Sequence, residues 1–509
     1  MKRNIIYTMG LLVSLTLGVQ SCSLDAEVYD KLSDEVYPES ERDARDLVTD
    51  AYGIFGNNGY DGAFNVATGV LLTSDIATDF GYCSWGGKVW GGLEQANFDK
   101  TEDRNTTYTW TRLNGISKLT LDIDRIEKLK MDEDLKEQYI AQLRCGRGLM
   151  AFLVYDMHGP ILVADLATLK EPFAEKILPR LSEEDTRNYI VTELTEAAKV
   201  LPKNYKKGDT DYGRFTAGLC HTVLMKFYMQ TKQWSKAIEE GRELMKPEYG
   251  YALVTDKGDE TTAYANIFTL ANEKNAETIW AVNCEEGFQY HLWYPHVLPG
   301  TLKSSPQGSF SGGWGGYKMM WSFFDTFEPG DERTSVIISE YSDGEQTYNR
   351  DNKGPMADGV FPLKYKIEPS NVGDHCTTDW IVYRYADVLT LLAEAIVHDG
   401  GKVTDEAIGL LNQVRTRAGL AAYQATDFAN ADDFIDKLLW ERAHELWYEG
   451  CRRQDLIRND KYTEVMAQKC RDNGWVDVIS GKGTTFNLFP LPASAINEGK
   501  GLIAQNPGY

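Results

Sequence analysis

The chain is short of cationic groups. Its 509 residues carry 53 Lys and Arg against 76 Asp and Glu, a formal net charge of −23. Such a surface repels phosphate backbones and anionic lipid, so nucleic acid is not an expected partner, while neutral and cationic ligands stay open. The sequence has no Walker loop, no GxGxxG after a strand, no paired CxxC and no GxSxG elbow. Nucleotide, paired-cysteine metal and serine-hydrolase chemistry therefore lose their usual signatures. Histidine is scarce, at 7 residues. His291 and His296 flank Leu-Trp-Tyr-Pro, but no Cys or carboxylate at ligand spacing accompanies them, so neither a metal nor a cofactor is expected. Cysteine is sparse as well, at 8 residues, several of them on helix faces, which favours free buried thiols over a disulfide framework.

Long apolar runs are missing after the first 21 residues. Lys2 and Arg3 precede a run from Ile5 to Val19 that is too short to span a bilayer comfortably. It ends in Val-Gln-Ser-Cys, residues 19–22. A small residue directly before Cys resembles a bacterial lipobox. Residues 1–21 then read as a lipoprotein signal peptide and Cys22 as the lipidated first residue of the mature chain.

What the chain has in excess is aromatic side chains: 12% of residues, with 12 Trp and 28 Tyr. Many sit among Gly, Ser and Pro, where neither helix nor strand periodicity holds. The most concentrated stretch runs from Phe288 to Phe324 and contains Trp293, Tyr294, Trp314 and Tyr317. A second, over residues 57–105, contains Trp85 and Trp90. Rings in such loops either fill satellite cores or stay open to a ligand. Flat C–H faces of sugar rings stack on Trp and Tyr, each contact contributing about 0.5–1.5 kcal/mol.

Between these segments the apolar spacing is helical. Ala44, Leu47, Val48, Ala51 and Phe55 define one buried face over about 40–55, and helices are predicted at about 106–130, 134–157, 182–201, 215–229 and 234–245. The pair at 215–245, joined by Thr231-Lys232-Gln233 and stopped before Pro247, resembles a tetratricopeptide unit, which needs stacked neighbours to bury its face. Helical spacing returns at about 380–398, 405–417 and 431–458, with irregular chain after that. Trp110, Trp234, Trp280, Trp440 and Trp447 fall in regular elements and read as packing residues.

Glu441, Glu445 and Glu449 recur every four residues and need cations, with Arg442, Arg452, Arg453, Arg415 and Arg417 in sequence reach. Carboxylates flanked by arginine ionise readily, so the motif reads as a structural ion-pair network and not as an acid/base pair.

Several motifs together carry a resemblance. Ala386-Asp387-Val388-Leu389 through Ala393-Glu394-Ala395, Leu411 to Leu420, the Glu441–Arg458 motif and the closing Phe489-Pro490-Leu491-Pro492 to Tyr509 resemble the SusD/RagB lipoproteins. The lipobox, the first amphipathic helix and the pair at 215–245 stand in that family's order, and Asp25 and Glu27 resemble the surface-export signal of Bacteroidetes lipoproteins. The resemblance implies a mostly α fold: tetratricopeptide-like helix pairs as a scaffold, mainly at 40–56, 106–245 and 380–458, within a single domain over 22–509. Variable ligand-binding inserts at 57–105 and 250–375 would form its loop-rich, irregular face. It also implies a non-enzymatic, lipid-anchored protein exposed on the outer-membrane surface. That protein would capture oligosaccharides for a SusC-like TonB-dependent transporter. Peptide or glycoprotein capture by the same face is the alternative. The expected stacking rings are Trp85, Trp90, Trp293, Tyr294, Trp314 and Tyr317, with Asn97, Asp325 and Arg333 as polar partners.

Overall fold

The computed structural model describes residues 37–56, 62–98, 104–171, 173 and 176–509. Cys22 and the leader before it lie outside the described residues. The fold is mostly α. Helix α1 (Glu41–Tyr52) opens on a capping box in which Ser40 and Asp43 satisfy each other's backbone N–H, and it buries Ala44, Leu47, Val48 and Ala51. Its face packs on the helices Leu113–Glu127 and Glu133–His158 through a small cluster that includes Leu119, Ile123 and Leu143.

The 57–105 insert is less irregular than its composition suggests. It holds α2 (Val70–Ile76), strand β1 (Gly81–Cys83) and α3 (Gly87–Glu94). Then come α4 (Arg104–Thr111), α5 (Leu113–Glu127), α6 (Glu133–His158), α7 (Glu183–Val200), α8 (Ala217–Gln230) and α9 (Trp234–Leu244). From α5 onward each helix packs on the next, and the stack continues with α10 (Tyr385–Gly400) and α11 (Asp405–Arg417). The long insert between α9 and α10 therefore leaves the stack without breaking it. Gly241 permits a close approach: a Cβ there would lie 2.9 Å from Met225 Cε and 3.1 Å from Leu392 Cδ1. The thiols of Cys145 and Cys220 meet between α6 and α8 at 3.5 Å, and all seven described cysteines are free and buried.

Two expected helices differ in the structure. The one expected from 380 starts at Tyr385, because Trp380–Arg384 form strand β5, antiparallel to β2 (Thr278–Val282) inside the insert. Tyr and β-branched residues suit such a buried ladder. The one expected over 431–458 is two: α12 (Ala431–Glu445) and α13 (Arg452–Arg458). The chain turns between them with Tyr448 at φ 56° and Gly450 at φ 74°. A Cβ on Gly450 would also press on Leu71, 3.0 Å from its Cα. Helix α14 (Tyr462–Asp472) follows where irregular chain was expected. A small sheet links the two inserts: β1 runs antiparallel to β3 (Tyr317–Met320), which pairs in turn with β4 (Gly359–Val360).

Candidate functional site

The β1–β3 ladder pairs Cys83 with Tyr317, so the residues just after β1 meet those just before β3. Ser84 N and Oγ donate to Gly316 O (2.8 Å) and Gly315 O (2.7 Å). Trp85 Nε1 donates to Trp314 O at 3.4 Å across 229 residues of sequence. The Trp85 ring lies flat enough on the backbone that a Cβ at Gly316 would sit 2.4 Å from it. Only glycine leaves that space.

Trp85 is thereby placed between Trp90 (centroids 5.7 Å apart), His296 (5.4 Å), Tyr317 (5.4 Å) and Trp314 (6.4 Å). It is 39% exposed and Trp314 is 47% exposed, while Trp90 is half-buried. These rings line a cleft of about 500 Å³, with Thr68, Lys88 and Val89 also on its wall. The volume and the mixture of large rings with a few polar groups are those of a small-ligand site.

His296 is buried beneath the two exposed indoles. Its Nδ1 lies 2.6 Å from Leu292 O, which can only accept, so Nδ1 carries the proton and Nε2 is the acceptor. Burial lowers its pKa to about 4, so the ring is neutral near pH 7.

The other expected stacking rings are core residues, which corrects the sequence reading. Trp293, Tyr294 and Tyr317 have no exposed surface. Trp293 Nε1 donates to Leu363 O (2.6 Å), and its ring packs against Trp380 and Tyr448. The Tyr294 hydroxyl donates to Lys366 O and accepts from Asn371 Nδ2. Tyr317 donates to Ala67 O (2.9 Å) and forms the floor under Trp85. With both faces and the polar tip used, none can stack on a ligand.

The expected polar partners do not converge on the cleft either. Asn97 is exposed but lies beyond the end of α3 and off the cleft wall. Asp325 pairs with Arg350, whose guanidinium covers Trp321 at 4.8 Å. Arg333 is fully buried between Asp331 and Glu441 (2.6 Å each). It belongs to the ion-pair network, which sequence proximity assigned only in part. Arg415 and Arg417 do reach Glu441 and Glu445. Glu445 and Glu449 also take Arg384, and Glu449 takes Lys364, both from outside the motif. Arg442 instead holds Asp387 and Asp455. Burial raises the pKa of Glu445, but Arg417 and Arg384 outweigh it and lower it to about 2. That carboxylate cannot serve as a proton donor near neutrality.

Of the five tryptophans assigned to packing, Trp110, Trp280 and Trp447 are buried and Trp234 stacks on His398 at 4.4 Å. Trp440 is different, at 41% exposed. Sequence reasoning missed His296 as part of the aromatic site, having weighed it only as a metal ligand. Its place between two tryptophans of one loop was the available signal. Among the described residues no group of His, Cys, Asp and Glu is arranged to hold a metal ion. Nor is any of the described helices long and apolar enough to cross a membrane.

A profile of the SusD family matches residues 357–509. Over 99% of its length the chain is 21% identical to the starch-binding protein SusD of Bacteroides thetaiotaomicron, of which it covers 98%. Solved structures share the fold. Surface glycan-binding protein A from Bacteroides fluxus superposes with a TM-score of 0.75 at 23% identity, covering 93% of this chain and all of that one. Surface glycan-binding protein A from Bacteroides thetaiotaomicron in complex with laminarihexaose superposes at 0.72 and 20% identity, covering 92% and 99%.

Proposed function

We propose that this chain, a SusD/RagB-like protein, is a cell-surface lipoprotein that binds oligosaccharides in the Trp85/Trp314 cleft and passes them to a SusC-like TonB-dependent transporter. One observation carries the reading. Two exposed indoles from inserts distant in sequence stand over one cleft, the Trp85 indole tied by a hydrogen bond to the backbone of Trp314. An indole fixed as Trp85 is presents a flat apolar face without losing side-chain freedom on binding, which is what ring stacking needs. Lys88, Thr68 and the Nε2 acceptor of His296 supply polar groups for hydroxyls. That relatives of this fold are named for binding starch and for a complex with laminarihexaose supports carbohydrate as the ligand class.

A binding role, as opposed to glycosidase activity, is supported by where the carboxylates go. Glycoside hydrolysis uses a pair of carboxyl groups flanking the bond. The clustered glutamates of this chain are committed to arginines in the core. Lipid on Cys22, following a signal peptide over residues 1–21, would hold the single body of 22–509 at the outer membrane beside its transporter. Many copies there would raise the effective strength of weak individual contacts.

Calorimetry with laminarihexaose, maltohexaose and a peptide pool tests the reading. Weak, saturable sugar binding in the micromolar to millimolar range is expected. Trp85→Ala and Trp314→Ala should each weaken it by roughly 2- to 12-fold. Saturable peptide binding with no sugar response would transfer the site to peptide capture.

A further inference from the structure

A second cleft, of about 370 Å³, opens at the other end of the β1–β3 ladder. Asp79 lies two residues before β1 and Trp85 two after it, while Phe323 lies three residues after β3 and Trp314 three before it. Asp79 and Phe323 line this second cleft, and Trp85 and Trp314 line the first. The six steps from Asp79 to Trp85 span at most roughly 20 Å.

Trp440 stands on the wall of the second cleft. Its ring is held by the Arg452 guanidinium, 5.0 Å from the centroid, and by Phe323 and His444 at 6.0 and 5.8 Å. Arg452 is itself buried and fixed, by Asp79 through two hydrogen bonds (3.0 and 2.7 Å) and by Leu439 O at 2.9 Å. The indole is therefore pre-positioned while 41% of its residue surface faces solvent. Its Nε1–H has no acceptor among the described residues.

The polar groups around it define the ligand class. Asp79, Asp436 and Asp472 face Arg452, Lys461 and Lys469, so three acids balance three bases on a chain whose net charge is −23. Two of these pairs are closed, Arg452 with Asp79 and Lys461 with Asp436, both at 2.7 Å. A locally neutral cleft has no field to select an anion or a cation. A fixed ring edged by exposed carboxylate and amide groups, among them Asp472 and Asn473, matches a neutral polyhydroxyl ring.

We propose that the cleft around Trp440 is a second carbohydrate-binding site, taking a ring of a neutral glycan independently of the Trp85/Trp314 cleft. The proposal rests on the reading that this chain takes carbohydrate, yet each cleft reports separately. A polysaccharide offering many rings would engage both clefts of one molecule, and the second contact would then be intramolecular.

The test is a titration of the full chain with laminarihexaose and with maltohexaose, followed by indole ¹⁵N–¹H NMR. Trp440→Phe, Trp85→Phe and Trp314→Phe variants assign the three cross-peaks. The expected result is a saturable shift of the Trp440 peak that persists in a Trp85→Ala/Trp314→Ala protein. Movement of Trp85 and Trp314 with Trp440 unmoved overturns the second site and leaves the first standing. Movement of Trp440 alone overturns the first and leaves the second. No movement at any of the three overturns both. A Trp440 peak that responds to the purified transporter and to neither sugar makes the cleft a docking surface and also overturns the proposal.

Discussion

Trp293 and Trp314 belong to one Gly- and aromatic-rich stretch, yet they lie in opposite environments. Trp293 starts a single helical turn, Trp293–Val297, all five residues of which are buried. Trp314 sits among Gly312, Gly313, Gly315 and Gly316, where the backbone turns back to hydrogen-bond with Pro295 and Leu298. Gly312 and Gly315 adopt φ values of 92° and 59° that disfavour side chains. The first half of the stretch thus completes the core under the second, and the second displays a ring over the first. An irregular, aromatic segment can do both jobs within about twenty residues of chain, because burial is decided by what lies across the fold.

The largest expected effect separates these two tryptophans directly. Trp293→Ala should cost about 3–5 kcal/mol in urea denaturation, through a cavity between Tyr317, Trp380 and Tyr448 and a stranded Leu363 carbonyl. Trp314→Ala should stay within about 0.5 kcal/mol of the parent and act on ligand alone. Similar losses from both would erase the contrast.

The buried half should also set an acid sensitivity. Burial lowers the pKa of His291, which lies behind Trp293 against Trp380, to about 3. Below pH 6.5 the unfolded chain takes up a proton that the folded chain refuses. Stability therefore falls as pH drops from about 6.5 to 3, by up to about 1.4 kcal/mol per unit. His291→Gln should flatten the stability profile by that slope in that window and change nothing above pH 7. An unchanged profile would mean that His291 accepts a proton in the folded state.

Gly316→Ala should have only a small effect on stability. A methyl group 2.4 Å from Trp85 must push the exposed ring aside, at about 1 kcal/mol or less since the ring can swing outward. Sugar affinity should nonetheless fall to the level of Trp85→Ala. If affinity is retained, the fixed position of Trp85 does not matter for binding.

The helices were legible to within a few residues wherever apolar periodicity was strong. Asp405–Arg417 falls on its expected bounds, and Trp234–Leu244 ends one residue early. The cap of α7 was readable because Ser182 is followed at once by the acids Glu183 to Asp185, whereas the Ser40–Asp43 box of α1 appears only in the structure. The strands were not legible. Trp380–Arg384 reads as the head of a helix until β2, about a hundred residues earlier, is placed beside it. The charged motif was legible as a network but not in its pairing, since Arg333, Arg384 and Lys364 arrive from the insert.

The sequence by itself thus determined the helical scaffold and the commitment of the glutamates to arginine, while the two aromatic inserts were joined as one candidate face only through the resemblance. The first two follow from local periodicity, local capping and charge that must be neutralised nearby. Only the tertiary structure decided which rings of those inserts see solvent. Trp85 and Trp314 remain open because a β-ladder brings their glycine-rich flanks together. Trp293, Tyr294, Tyr317 and Arg333 disappear into the core, and Trp440 emerges from it. Exposure is a property of long-range contacts, and no residue's own neighbourhood in the chain encodes it.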